Sequence, residues 1–181
     1  RKLLKEGGSL IRLVVNEIIR SNVDFVLVSG DLTKDGELVN HLQVADLLSQ
    51  LTEKGIRVYV VPGNHDVNNP GAFRYEGEQA IPVPSVSHAE FSEIYQAHGY
   101  GDALYKDANS LSYVAALDDS LWLLALDTCR SEENKPGGTE IVGGKLVEKQ
   151  EKWIEEMLAK ARQEKKAVIV LAHHGIHEHF E

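Results

Sequence analysis

Three apolar runs punctuate the chain: Phe25-Val26-Leu27-Val28, Ile56-Arg57-Val58-Tyr59-Val60-Val61 and Ala167-Val168-Ile169-Val170-Leu171. The run over 23–29 lacks the polar alternation of a half-exposed strand, so it predicts a buried one, and 56–61 and 167–172 predict two more. Between the first two, Leu38, Leu42, Ala45, Leu48 and Leu51 recur at helical spacing, and Gly55 sits where such a helix should stop. This strand–helix–strand unit should be parallel and right-handed. Upstream, Ser9 can cap a helix reaching about residue 20, with Ile11, Val14, Val15, Ile18 and Ile19 as its apolar face. Gly7-Gly8 reads as a loop before it.

The alternation breaks between residues 68 and 105. Asn68-Asn69-Pro70-Gly71 has strong turn chemistry, and Pro82 and Pro84 forbid a continuous helix. Ser87 and Glu90 form a predicted capping box opening a helix that buries Phe91, Ile94 and Tyr95 and ends near Gly99. The region reads as an insertion standing over the functional edge of one domain, not as a second domain, and Arg74 and Tyr75 within it read as packing residues. Residues 112–117 and 121–126 predict an antiparallel hairpin about Asp118-Asp119-Ser120. Residues 130–144, polar and Gly-rich, read as loop. Leu146, Trp153, Ile154, Met157, Leu158 and Ala161 then mark an amphipathic helix.

With 181 residues the chain can bury one sizeable core, and 43% hydrophobic with 26% charged residues is ordinary for a globular protein. A formal net charge of −9 excludes a broad electrostatic grip on nucleic acid. It leaves a phosphate substrate open, because bound dications reverse the local field. The single Cys129 excludes an internal disulfide and reads as a structural thiol. No apolar stretch approaches the roughly 20 residues of a spanning helix.

Each buried strand delivers candidate chemistry at its carboxyl end: Ser29-Gly30-Asp31-Leu32, Pro62-Gly63-Asn64-His65-Asp66 and Ala172-His173-His174-Gly175. That edge is where sites form in open α/β sheets. Asp, Asn and His make a mixed ligand set suited to divalent manganese, iron or zinc. Alone, Asp31 would read as a turn or cap residue and His173 as a satisfied core histidine; the Gly-Asn-His-Asp block changes both readings.

These segments resemble the calcineurin-like metallophosphoesterases, whose signature runs Asp-x-His, Gly-Asp, Gly-Asn-His-Asp or Glu, a strand-end His, then Gly-His-x-His. Gly30-Asp31, Gly63-Asn64-His65-Asp66 and His173 match in order. Leu123 to Thr128, and Gly143-Gly144-Lys145-Leu146 leading to Gln150 and Trp153, are similar to the bacterial cyclic-nucleotide phosphodiesterase-like branch. No Asp-x-His precedes Gly30, and Gly175-Ile176-His177-Glu178-His179 lies too near His173 to be the last motif. The chain is therefore expected to be the middle of a longer domain, cut before its first motif and before its last, and inactive alone.

The resemblance implies an α/β fold, an αββα sandwich of mixed sheets flanked by helices, with the hairpin and final strand in a second sheet. It implies a phosphoesterase with two divalent metal ions of the manganese, iron or zinc class, acting through a metal-bridging hydroxide on a small phosphodiester such as a cyclic nucleotide. A phosphomonoesterase or protein phosphatase is the alternative reaction; a non-catalytic scaffold of the same fold is the alternative class. Asp31 would bridge the ions, since two dications about 4 Å apart need negative charge between them. Asn64 and His173 would ligate the second ion. His65 would be a non-ligand facing the scissile phosphate, and Asp66 would hydrogen-bond His65 and fix its tautomer. Asp127 reads as closing a strand and ordering a loop. His41, His88 and His98 read as structural or solvated, His177 and His179 as loop residues, and His174 carries no role.

Overall fold

A computed structural model describes residues 4–175. Strand β1 (Phe25–Val28) pairs in parallel with β2 (Arg57–Val60), in register Val26 with Val58 and Val28 with Val60. Helix α2 (Leu38–Thr52) connects them, and Gly55 at φ +81° turns the chain back, as its position after the helix predicts. Helix α1 (Leu4–Arg20) precedes β1 and runs straight through Gly7-Gly8, where the sequence suggested a loop. Two glycines cost about 1 kcal/mol each in a helix, but neither a proline nor a side-chain cap stops the helix there, and Leu4, Lys5 and Glu6 extend it. Its apolar face is only partly used: Val15 is buried, while Leu10, Leu13 and Val14 are exposed.

The second sheet has the order β5 (Tyr105–Lys106), β6 (Tyr113–Ala116), β7 (Leu121–Leu126), β8 (Ala167–Ala172). Strands β6 and β7 form the antiparallel hairpin, and β8 joins β7 in parallel with Leu123 opposite Ile169 and Ala125 opposite Leu171. The period-2 alternation of β7 explains the layering. Leu123 and Ala125 face the main core with Val58, Val60 and Leu51, while Trp122, Leu124 and Leu126 face Met157 and Ala161 of α4 (Glu148–Gln163). Tyr113 crosses between the layers, its buried hydroxyl donating to the Val60 carbonyl at 3.0 Å.

Residues 68–105 divide into two parts. A hairpin of β3 (Phe73–Glu76) and β4 (Gln79–Pro82) stands largely exposed, with Arg74 paired to Glu76. Helix α3 (His88–Ile94) and the turn after it supply Phe91, Tyr95 and Tyr100 to the main core. The capping box is complete: Ser87 Oγ accepts from Glu90 N, and Glu90 Oε2 accepts from Ser87 N. His41 and His98 are both fully buried. His41 bonds the Tyr95 hydroxyl at 2.9 Å and the Asp66 carbonyl at 2.8 Å. Among the described residues no helix is long and apolar enough to cross a membrane.

Candidate metal centre

The loops after β1 and β2 touch backbone to backbone, and two glycines permit it. Gly30 has φ +92°, and a side chain on it would collide with the Gly63 amide; one on Gly63 would collide with the amide and carboxylate of Asp31. Asp31 itself sits at φ +53°, a left-handed conformation that Asp tolerates better than most residues. The result is a tight double turn that presents Asp31 and Asn64 side by side. His65 N donates to Asp31 Oδ1 at 3.3 Å, tying the two turns together.

His173 reaches this corner from the other sheet, at the end of β8. Its Nδ1 lies 2.8 Å from the Ser29 carbonyl. A carbonyl only accepts, so Nδ1 turns its proton to Ser29 and Nε2 faces the loops after β1 and β2. Nε2 lies 3.1 Å from Asn64 Oδ1 and 3.5 Å from Asp31 Oδ1. Three side-chain atoms able to donate a lone pair thus converge on one corner, a set that a shared cation would satisfy. Separations of this size suit donors sharing one divalent ion at about 2.0–2.2 Å each. The Ser29 carbonyl fixing the ring from behind is the outer support that metal-bound histidines usually have. These residues therefore fit part of a metal site. Among the described residues no group of three or more His, Cys, Asp or Glu is placed to hold a metal, so Asn64 is what makes this set a triad.

His65 points its Nδ1 at two carboxylates, Asp35 Oδ1 at 3.4 Å and Glu140 Oε1 at 3.9 Å. The atom is buried and makes a hydrogen bond with neither. Asp66 does not hydrogen-bond His65, contrary to what the family resemblance implies. Its buried carboxylate accepts from Gly63 N (2.8 Å), Leu32 N (3.1 Å), Thr33 N (2.9 Å) and Thr33 Oγ1 (2.9 Å). The carboxylate faces inward beneath the double turn and staples both loops together. Burial pushes its carboxyl pKa up, against those donors, which pull it down.

Sequence reasoning missed Asp35 and Glu140. Asp35 follows Asp31 on the same loop and also pairs with Lys34. Glu140 lies in the Gly-rich 130–144 loop, which gives no local signal of what it faces. Asp127 orders its own loop, accepting from Cys129 N at 3.0 Å and Leu111 N at 3.3 Å. Cys129, its thiol pKa raised chiefly by burial, donates to the Pro62 carbonyl at 3.3 Å. His88 bridges Asn68, Ser131 and Glu132. His174 bonds Thr128 Oγ1 at 2.8 Å and the Val142 carbonyl at 3.0 Å, edge-on to the His173 ring. The β3–β4 hairpin hangs from the site through Asn69, whose side chain donates to the His65 carbonyl at 3.2 Å. His177 and His179 lie outside the described residues.

A profile of the calcineurin-like phosphoesterases matches residues 8–181. Over 59 residues the chain is 32% identical to a probable cyclic nucleotide phosphodiesterase of Ruthia magnifica subsp. Calyptogena magnifica, covering 33% of this chain and 24% of that protein. Over 58 residues it is 38% identical to the uncharacterized metallophosphoesterase YhaO of Bacillus subtilis (strain 168), covering 31% of this chain and 14% of that protein. Its fold is shared, at TM-score 0.61 and 16% identity, with the crystal structure of a dimetal phosphatase from Danio rerio. That likeness covers 95% of this chain and 61% of the Danio protein, so the chain spans only part of each relative's length.

Proposed function

The chain belongs to the calcineurin-like phosphoesterase family, and from that premise we propose that the protein is a metal-dependent hydrolase of small phosphodiesters, cyclic nucleotides among them. The observation that carries this reading is the convergence of Asp31 Oδ1, Asn64 Oδ1 and His173 Nε2, three lone-pair donors facing one point. Two divalent ions, one held by this triad, would supply Lewis acidity to the phosphoryl oxygens. Asn64 gives a neutral amide oxygen, so it positions without quenching charge. With Nδ1 turned to Asp35 and Glu140, Nε2 is the His65 atom left to give a proton to the leaving oxygen.

The preference for a diester rests on the likeness to relatives named cyclic nucleotide phosphodiesterase.

The test uses full-length protein with bis-p-nitrophenyl and p-nitrophenyl phosphate. Manganese should raise turnover of the diester above that of the monoester, EDTA should abolish both, and His65→Ala should lower kcat by about a hundredfold or more. Faster turnover of the monoester makes the protein a phosphomonoesterase. Full-length protein that binds no manganese and hydrolyses neither ester is a scaffold.

A further inference from the structure

We propose that the outer edge of β3 is a self-docking surface, on which a second copy of this chain adds its own β3, antiparallel, about a twofold axis at Tyr75. Strands β3 and β4 make a sheet of their own, joined to no other strand among the described residues. The hairpin stands largely exposed, Tyr75 by 59%. A lone hairpin is marginal in water, and it offers unpaired backbone groups along each edge.

The register says which edge is able to pair. Val83 N donates to the Ala72 carbonyl at 3.0 Å, so Ala72 and Val83 turn their backbone groups toward each other. Such bonded pairs alternate along an antiparallel ladder, and Arg74 with Ile81 and Glu76 with Gln79 are therefore bonded too. Phe73 and Tyr75 then turn their backbone groups outward along β3, as Ala80 and Pro82 do along β4. Pro82 has no N–H to offer, which blunts the β4 edge. The β3 edge keeps both of its donors.

The side chains on that edge complement a copy of themselves. With Tyr75 on the axis, its N–H and carbonyl meet those of its twin. Arg74 then falls opposite Glu76 of the second copy, and Glu76 opposite its Arg74. These are the non-bonded pairs of the new ladder, the kind in which facing side chains come closest. Within one chain the two already pair at 3.2 Å, yet their side chains are 62% and 61% exposed, so each has room for a second partner. The opposite face brings together Phe73 and Tyr75 of both copies, aromatic neighbours across the strands. A net charge of −9 opposes contacts between copies that lack such matching. At 4 residues a strand the contact falls below a standard interface, so the dimer forms as concentration rises.

The experiment is sedimentation equilibrium of full-length protein from about 1 to about 300 µM. Wild type should pass from monomer toward dimer over that range. Arg74→Glu sets like charges opposite each other at both pairs, and so does Glu76→Arg. Each should weaken the dimer about tenfold or more, with circular dichroism unchanged because both side chains lie at the surface. Mixing the two single variants restores attraction at both pairs, as does the double variant Arg74→Glu/Glu76→Arg, and association should return in each case. Wild type that stays monomeric overturns the proposal. So does a dimer that neither single variant weakens, or one that mixing fails to rescue.

Discussion

His65 Nδ1 and Asp35 Oδ1 approach to 3.4 Å at the edge of the converging donors. The Asp35 carboxylate touches none of those donors itself. Asp35→Asn should therefore lower kcat by about ten- to a hundredfold while leaving manganese affinity unchanged. Steady-state kinetics beside a manganese titration checks this, and a matching loss of affinity would contradict it.

Asp66 works beneath the site, through the bonds from Gly63, Leu32 and Thr33. Removing a buried carboxylate strands those donors, which cost about 1–3 kcal/mol each when left unmet. Asp66→Ala should lower unfolding free energy by about 3 kcal/mol or more, seen as an earlier urea midpoint. Asp35→Asn should shift that midpoint far less.

Gly63→Ala should disturb metal binding more than folding. The added methyl collides with the amide and carboxylate of Asp31, so one of the three converging donors is displaced while the core strands keep their packing. The expected outcome is a drop of about tenfold or more in manganese affinity, measured by calorimetry, with far-ultraviolet circular dichroism unchanged.

His98 is buried with neither ring nitrogen bonded, and burial holds its pKa below the ordinary value of 6.5. Above that value both folded and unfolded states are neutral at this ring, and its contribution is fully present. As pH falls below it, the unfolded chain takes up a proton that the buried ring refuses, so stability declines toward the lowered pKa at up to about 1.4 kcal/mol per pH unit. His98→Leu should flatten the acid limb of unfolding free energy against pH. A limb equally steep in the variant would rule this ring out.

Sequence carried the strand-end chemistry well, because local rules govern it. The apolar runs ending at Val28, Val61 and Ala172 placed Asp31, Asn64 and His173 at the carboxyl edge, and the Ser87–Glu90 box and the 121–126 strand followed from short-range signals. Long-range partners were not legible. Nothing near Glu140 says that it faces His65, and Asp66 beside His65 in sequence looks like a partner until the turn sends its side chain inward. The β3–β4 hairpin had a signal: Phe73 and Tyr75 alternate with Arg74 and Glu76 before Gly77. The run of Gly7 and Gly8 misleads because each glycine weakens a helix by only about 1 kcal/mol, and no proline stands there to stop it.

The converging triad straddles the seam of the sandwich. Asp31 and Asn64 ride on one sheet and His173 on the other, with the Tyr113 hydroxyl bolting the layers at Val60. Alignment of the two halves therefore sets the size of the aperture a cation sees. The donors keep their spacing only while the Tyr113–Val60 tie and the packing between the two sheets hold.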